Sequence, residues 1–248
     1  MNNSLFPYLF VSIFLLSLSV SAQLNRPRYE VGAQLSGFIY QGDLTTRQFG
    51  SFETTRPGFT LFGSYLLNTS FSIRANFAVG SLKGDDSLYK LPAYRRFRNF
   101  YFTSPVKELS LLFLWHPLAD NYAARRISPY LFAGGGISFL RISRDWSRFV
   151  GSHFTAEPQL IERLAEDQLQ TPPRSLPVIP VGAGVSFRFT ERIALHAESS
   201  YRFLFSDYLD GFSKAANPDR NDHYHTLSAG LSYRIGKKDL LGCPVMKY

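Results

Sequence analysis

Cysteine occurs once in 248 residues, at Cys243, and that scarcity excludes an intramolecular disulfide framework. No apolar run beyond residue 22 reaches the roughly 18 residues that mark a transmembrane helix, so a helical membrane bundle is excluded as well. The chain lacks a cluster of residues at metal-ligand spacing, a phosphate-cradling glycine loop and a nucleotide motif, and no cofactor is expected. Methionine and tryptophan are rare, two of each, whereas phenylalanine and tyrosine number 23 and 14. Abundant aromatics without helical spans fit a β-barrel with interfacial girdles.

The amino terminus lacks a basic n-region but carries an apolar run, Leu9 to Val20, ending in Val20-Ser21-Ala22. Small residues at that end suit signal peptidase, so residues 1–22 are expected to be an export signal cleaved after Ala22. No cysteine follows the run, which argues against a lipid-modified amino terminus. The formal charge of +8 would suggest nucleic acid in a cytosolic protein. For an exported chain nucleic acid is not the expected partner; the phosphorylated lipid of an outer leaflet is. Lys83, Lys90, Arg95, Arg96 and Arg98 concentrate charge in one basic, aromatic stretch, which reads equally well as a solvated loop.

The remainder reads as strands. Ser128 to Leu140, SPYLFAGGGISFL, is free of charge and too short to cross a bilayer as a helix, yet long enough for a tilted strand of roughly 9–11 residues. Three consecutive glycines would cost a helix about 1 kcal/mol each, whereas a strand uses them for bends and close approach. Phe71, Ile73, Ala75, Phe77 and Val79 alternate with Ser72, Arg74, Asn76 and Ala78, the clearest period of two in the chain. Similar alternation is found at 29–40, 59–67, 109–115, 178–189, 193–203 and 226–235. Together these make about eight strands with connections alternately long and short, including a basic loop from Lys83 to Ser104. The segment AEPQLIERLAEDQLQ within the longest connection is expected to form a short helix.

This pattern predicts an all-β antiparallel up-and-down transmembrane barrel with long outer loops and short periplasmic turns. A secreted sandwich offers no reason for the alternating connection lengths. Residues 23–236 are assigned to the barrel and 237–248 to a periplasmic tail, with the cell outer membrane of a Gram-negative envelope as the expected location. On this assignment Glu30, Arg74, Glu108, Arg188, Glu198, Arg202 and Arg234 point inward and are expected to form a charge network. A barrel of eight strands is just wide enough to be filled by side chains, which argues against an open diffusion channel. His196, Glu198 and Ser200 share one face of a strand, as an acyl-transfer site would require. Alternation alone produces such a trio readily, so no catalytic residue is assigned.

Two strand ends carry related turns: Tyr40-Gln41-Gly42-Asp43-Leu44 and Phe205-Ser206-Asp207-Tyr208-Leu209-Asp210. In the second, Asp207 and Asp210 can bond nearby backbone amides while Tyr208 and Leu209 supply an apolar lid. With the Ser128–Gly134 strand and the Cys243-Pro244 tail, these stretches resemble the PorG-like family of outer-membrane barrels over nearly the whole mature chain. Gly211 and Phe212 depart from it, since an acidic and an aliphatic residue would be expected there. The resemblance implies a non-enzymatic component of type IX protein secretion that anchors or contacts a periplasmic ring of PorK and PorN type. Its partner face would be His116 to Arg126, Thr190 to Arg192 and the tail, with Cys243 a candidate for pairing with another chain. The alternative is a stand-alone structural or surface-binding barrel whose basic loops contact lipopolysaccharide or an external ligand.

Overall fold

The computed structural model describes residues 28–45, 50–122, 125–216 and 221–236. The expected signal peptide, the tail 237–248 and Cys243 lie outside the described residues. Within them the chain forms β1 (Tyr29–Gln41), β2 (Arg56–Leu66), β3 (Phe71–Asp85), β4 (Tyr101–Trp115), β5 (Ile127–Leu140), β6 (Ser143–Asp145), β7 (Ser175–Arg188), β8 (Ile193–Leu204) and β9 (His223–Ile235). All pairings are antiparallel, and each long strand pairs with its neighbour along the chain, β5 with β7 across the short β6. β1 also pairs with β9, from Tyr29↔Ile235 to Gln41↔His223, which closes the cylinder. Eight strands are therefore staves, and β6 adds a short strip to β4 at Tyr101–Thr103.

The connections β2–β3, β4–β5 and β7–β8 leave one end of the barrel, the short-turn end. The other four leave the opposite, long-loop end. Along β4 the outward positions near the short turns are Leu109, Leu111, Phe113 and Trp115, while Glu108, Ser110, Leu112 and Leu114 are buried. Leu109 and Leu111 are 58% and 59% exposed, and comparable side chains such as Leu61, Leu131 and Leu231 stand out from other staves. Soluble monomers rarely expose a continuous apolar area beyond a few hundred Å². Among the described residues no helix is long and apolar enough to cross a membrane. The crossing elements are strands, and the fold is that of an outer-membrane β-barrel.

The expected loop from Lys83 to Ser104 is corrected by the structure: β3 runs on to Asp85 and β4 begins at Tyr101, with Asp85↔Tyr101 the last pair. Here the polarity of the faces reverses. Ser81 and Lys83 now face outward while Leu82, Phe102 and Val106 are buried. Beyond the bilayer a strand has no need of an apolar outer face, and its inner face can join an ordinary core. That core gathers Phe38, Leu82, Phe100, Phe102, Leu140, Leu204, Leu209 and Phe212 under the long loops. α1 (Arg95–Arg98) and α2 (Pro158–Leu169) lie in this cap, α2 where a helix was expected, with Leu164 buried.

Gly134 and Gly136 of β5 allow close pairing with β4. A β-carbon at Gly134 would lie 2.0 Å from the Leu111 carbonyl oxygen.

Candidate functional site

The two signature turns meet at the long-loop end. Tyr40, on the last turn-ward residues of β1, is fully buried, and its hydroxyl lies 2.8 Å from Asp210 Oδ2 and 2.7 Å from Asp222 Oδ1. One phenol hydrogen can donate to one carboxylate only. The other contact requires a protonated carboxyl that donates to the phenol oxygen, so the cluster holds a proton beyond that of the phenol. Burial pushes both Asp210 and Asp222 well above the usual carboxylate range, and for Asp222 the neighbouring Asp210 pushes in the same direction.

Backbone groups complete the cluster. The amides of Leu209 and Asp210 donate to Asp222 Oδ2, and the amide of Phe212 donates to Asp210 Oδ1. Gly42 explains the glycine of the first turn: a β-carbon there would sit 1.8 Å from Asp222 Oδ1 and 2.1 Å from the Tyr40 hydroxyl. Leu44 and Leu209 are buried beneath, and Tyr208 is half-buried. Gly211 has φ +83°, and Phe212 stacks on Phe100 at 4.4 Å and meets the edge of Trp146. Gly211 and Phe212, which follow Asp210, thus serve the same lid. Asp43 contributes its backbone: its carbonyl accepts from Arg95 Nη2 and Arg98 Nη2. Asp207 lies half-buried beside the cluster and adds to the field on both buried carboxyls. Asp222 belongs to the cluster although no local pattern marks it in the sequence.

The basic stretch needs correction. Arg95 and Arg98 are each only 6% exposed and converge on the buried carboxylate of Asp86, at 2.8 and 2.7 Å. They build the cap and are not presented to an external surface. Lys83 pairs with Asp85 at 2.9 Å. Lys90 and Arg96 remain exposed.

In the lumen six of the seven inward charges make ion pairs. Arg74 pairs with Glu198, Arg202 with Glu108 at 2.9 Å, and Arg234 with Glu30 at 2.9 Å. Tyr130 donates to Glu198, Tyr224 donates to Glu108 at 2.7 Å, and the Arg74 guanidinium lies 4.3 Å above the Phe62 ring. Arg188 instead donates to the carbonyls of Asp120 and Asn121, among its contacts. His196 is held by Tyr130, Ser232 and Glu30. Among the described residues it makes no hydrogen bond to Ser200, so the trio on β8 is not assembled as a nucleophile with its base.

The short-turn end is occupied by the β4–β5 connection. Asp120 and Asn121 are buried, Ser128 donates to Asp120 Oδ1 at 2.6 Å, and Asn121 Nδ2 donates to the carbonyl of Asn68 at 2.8 Å. Arg188 and Arg234 both grip carbonyls of this segment. Of the segment expected to face a partner, His116, Asp120 and Asn121 therefore point into the barrel mouth, while Leu118, Arg125 and Arg126 are exposed. Desolvation pushes the His116 imidazole down to about 4. The described lumen is thus filled with paired charge, capped at one end and plugged at the other.

These features define a closed, side-chain-filled antiparallel barrel with an apolar belt, an outer-membrane β-barrel by fold. By sequence, residues 4–235 match the family described as "Domain of unknown function (DUF6089)", and the chain belongs to that family. No curated protein matches. Among solved structures the chain is similar to Ail, the attachment invasion locus protein of Yersinia pestis, seen in complex with the heparin analogue sucrose octasulfate. The identity is 15%, with 84% of this chain and 97% of that chain covered and a TM-score of 0.42. It is similar also to the outer membrane protein OprG of Pseudomonas aeruginosa, at 10% identity, 86% and 98% coverage and a TM-score of 0.46. Neisserial surface protein A matches at 17% identity, 84% and 97% coverage and a TM-score of 0.43.

Proposed function

We propose that this chain is a non-enzymatic outer-membrane barrel that acts as an anchor, a PorG-like component of type IX secretion whose short-turn face meets periplasmic ring proteins of PorK and PorN type. The observation that carries the anchor reading is the set of ion pairs that cross the lumen between the cap and the β4–β5 connection. A transporter of small solutes needs a path, and the Arg74–Glu198, Arg202–Glu108 and Arg234–Glu30 pairs occupy the lumen where that path would run. The secretion role rests on the resemblance of the Tyr40–Leu44 and Asp207–Asp210 turns. In this reading the long loops face the outside, and the exposed tip Pro117–Ala119 with the turn Thr190–Arg192 faces the periplasm.

The test is a tagged pull-down from mildly solubilised outer membrane, with and without reductant, together with conductance of the purified barrel in planar bilayers. Recovery of the ring proteins with no steady conductance supports the reading, and sensitivity to reductant would assign the contact to Cys243. Recovery of the barrel alone, from a strain that makes those proteins, would overturn the secretion role. The surface-binding alternative would then rest on Lys90 and Arg96, which remain exposed beside Leu91 on the long-loop end.

A further inference from the structure

Arginines mark the short-turn ends of five adjacent staves. Backbone pairing sets Arg192 opposite Arg234 and Arg126 opposite Arg188, the carbonyl of the first accepting from the amide of the second in each case, and the register keeps Arg28 within two residues of Arg234 and Arg192 within two of Arg188. Around the rim the order β1, β9, β8, β7, β5 therefore carries Arg28, Arg234, Arg192, Arg188 and Arg126. Arg188 and Arg234 turn inward to hold the plug. Arg28, Arg126 and Arg192 are exposed, as is Arg125, and none of the four makes an ion pair within 4.0 Å among the described residues. Glu191 is the one exposed carboxylate among the described residues of this rim.

The height of these side chains decides what they meet. Three of the four directly precede the first outward apolar residue of their strands: Arg28 before Tyr29, Arg126 before Ile127, Arg192 before Ile193. One residue along a strand is about 3.3 Å, so the guanidinium groups lie at the edge of the apolar belt, where the phosphates of a leaflet lie. Two of them are steered by tyrosines of that belt: Arg28 donates to the Tyr65 hydroxyl at 3.4 Å and Arg192 to that of Tyr233 at 3.0 Å. A docking face for an acidic protein would extend away from the belt. This arc hugs it.

We propose that the arginine arc on β1, β8 and β5 binds the phosphate headgroups of anionic phospholipid in the leaflet next to the short turns. Guanidinium is suited to this through its paired donors, and tyrosine hydroxyls at the same level share the headgroup hydrogen bonding. The inference rests on the barrel's spanning a membrane. The opposite side of the rim, the β2–β3 turn Leu67–Ser70 and the end of β4, carries no arginine, so the bound lipid is confined to one side of the barrel.

The full chain, refolded into detergent and then into vesicles of equal phosphatidylcholine and phosphatidylglycerol, tests this. Heat-dependent gel mobility first scores insertion; its absence in the wild type would overturn the spanning reading and the proposal with it. After mild delipidation, native mass spectrometry should find phosphatidylglycerol retained several-fold over phosphatidylcholine, with the preference falling as salt rises. R28Q/R125Q/R126Q/R192Q should bring the ratio to unity, and K90Q/R96Q at the other end should leave it unchanged. If the quadruple variant does not insert, R28Q/R192Q and the salt series of the wild type decide. A ratio near unity in the wild type, a preference that ignores salt, or a preference kept in the inserted variants would overturn the proposal. So would arginine-dependent capture of an acidic protein without lipid preference.

Discussion

The membrane-spanning part of the barrel and the cap above it solve the burial of acidic groups in different ways. In the lumen Glu30, Glu108 and Glu198 each face an arginine. In the cap Asp86 follows that rule with Arg95 and Arg98, but Asp210 and Asp222 have no ion pair among the described residues and share a phenol instead. The lumen is stable through charge neutralised in place, whereas the lid is stable through a retained proton. The two regions should therefore fail under different conditions.

Removing one lumen partner should have the largest effect. Glu108→Leu leaves Arg202 buried with no ion-pair partner within 4.0 Å among the described residues, its hydrogen bonds to Thr226 and the Ser200 carbonyl remaining, and breaking such a pair costs about 3–5 kcal/mol. Urea unfolding followed by gel mobility should show it, and adding Arg202→Met should recover part of the loss. Next comes Gly42→Ala, whose methyl group collides with Asp222 and Tyr40 in the lid and should cost about 1–3 kcal/mol there. Proteases should then nick the long loops while the barrel keeps its heat-dependent mobility. The same treatment of Glu108→Leu should lower the barrel's own unfolding midpoint, which separates the two regions.

The pH response sharpens the contrast further. An aspartate whose folded-state value is raised contributes stability that is fully present below its unfolded value, about 3.9, and is lost as pH rises through the folded value. Asp210 and Asp222 are both raised, so the lid should loosen as pH rises, in contrast to a salt-bridged carboxylate, which fails on acidification. Trp146 lies against Phe212, so with Trp115→Phe its fluorescence reports the lid alone. Asp222→Asn should shrink the pH-dependent change; an unaltered profile would rule out the shared proton. The smallest effect is expected for Lys90→Gln with Arg96→Gln, both exposed, within about 0.5 kcal/mol.

Most of the staves were legible because the outward rows in the bilayer zone are largely apolar while the inward rows mix charged, small and apolar residues, as Glu108, Ser110, Leu112 and Leu114 do on β4. Phe71 to Val79 needed nothing else. The extension of β3 and β4 was not legible, because at Ser81 and Lys83 the outward face turns polar and the apolar residues move inward, so a rule tuned to one zone reads the other as loop. Tyr40, Gly42 and Asp210 stood out as turn residues, but Asp222 joins them through tertiary packing alone. The burial of Arg95 and Arg98 depended on Asp86, one of two carboxylates in a stretch whose net charge suggested solvent. The plug was hidden for a similar reason: Asp120 and Asn121 have the composition of an exposed turn.

The seam between β1 and β9 sets an order in time. β2 and β3 can zip as a hairpin across the short turn Leu67–Ser70, but Glu30 meets Arg234 only across 204 residues of chain. Contacts of high sequence separation form late, after the intervening chain has been gathered. The cylinder therefore remains an open, curling sheet with two unpaired edges until its last strand arrives, and Glu30 has no buried arginine beside it until then. Whatever inserts this protein must shield both edges for that interval, and a chain cut short before His223 would never lose them.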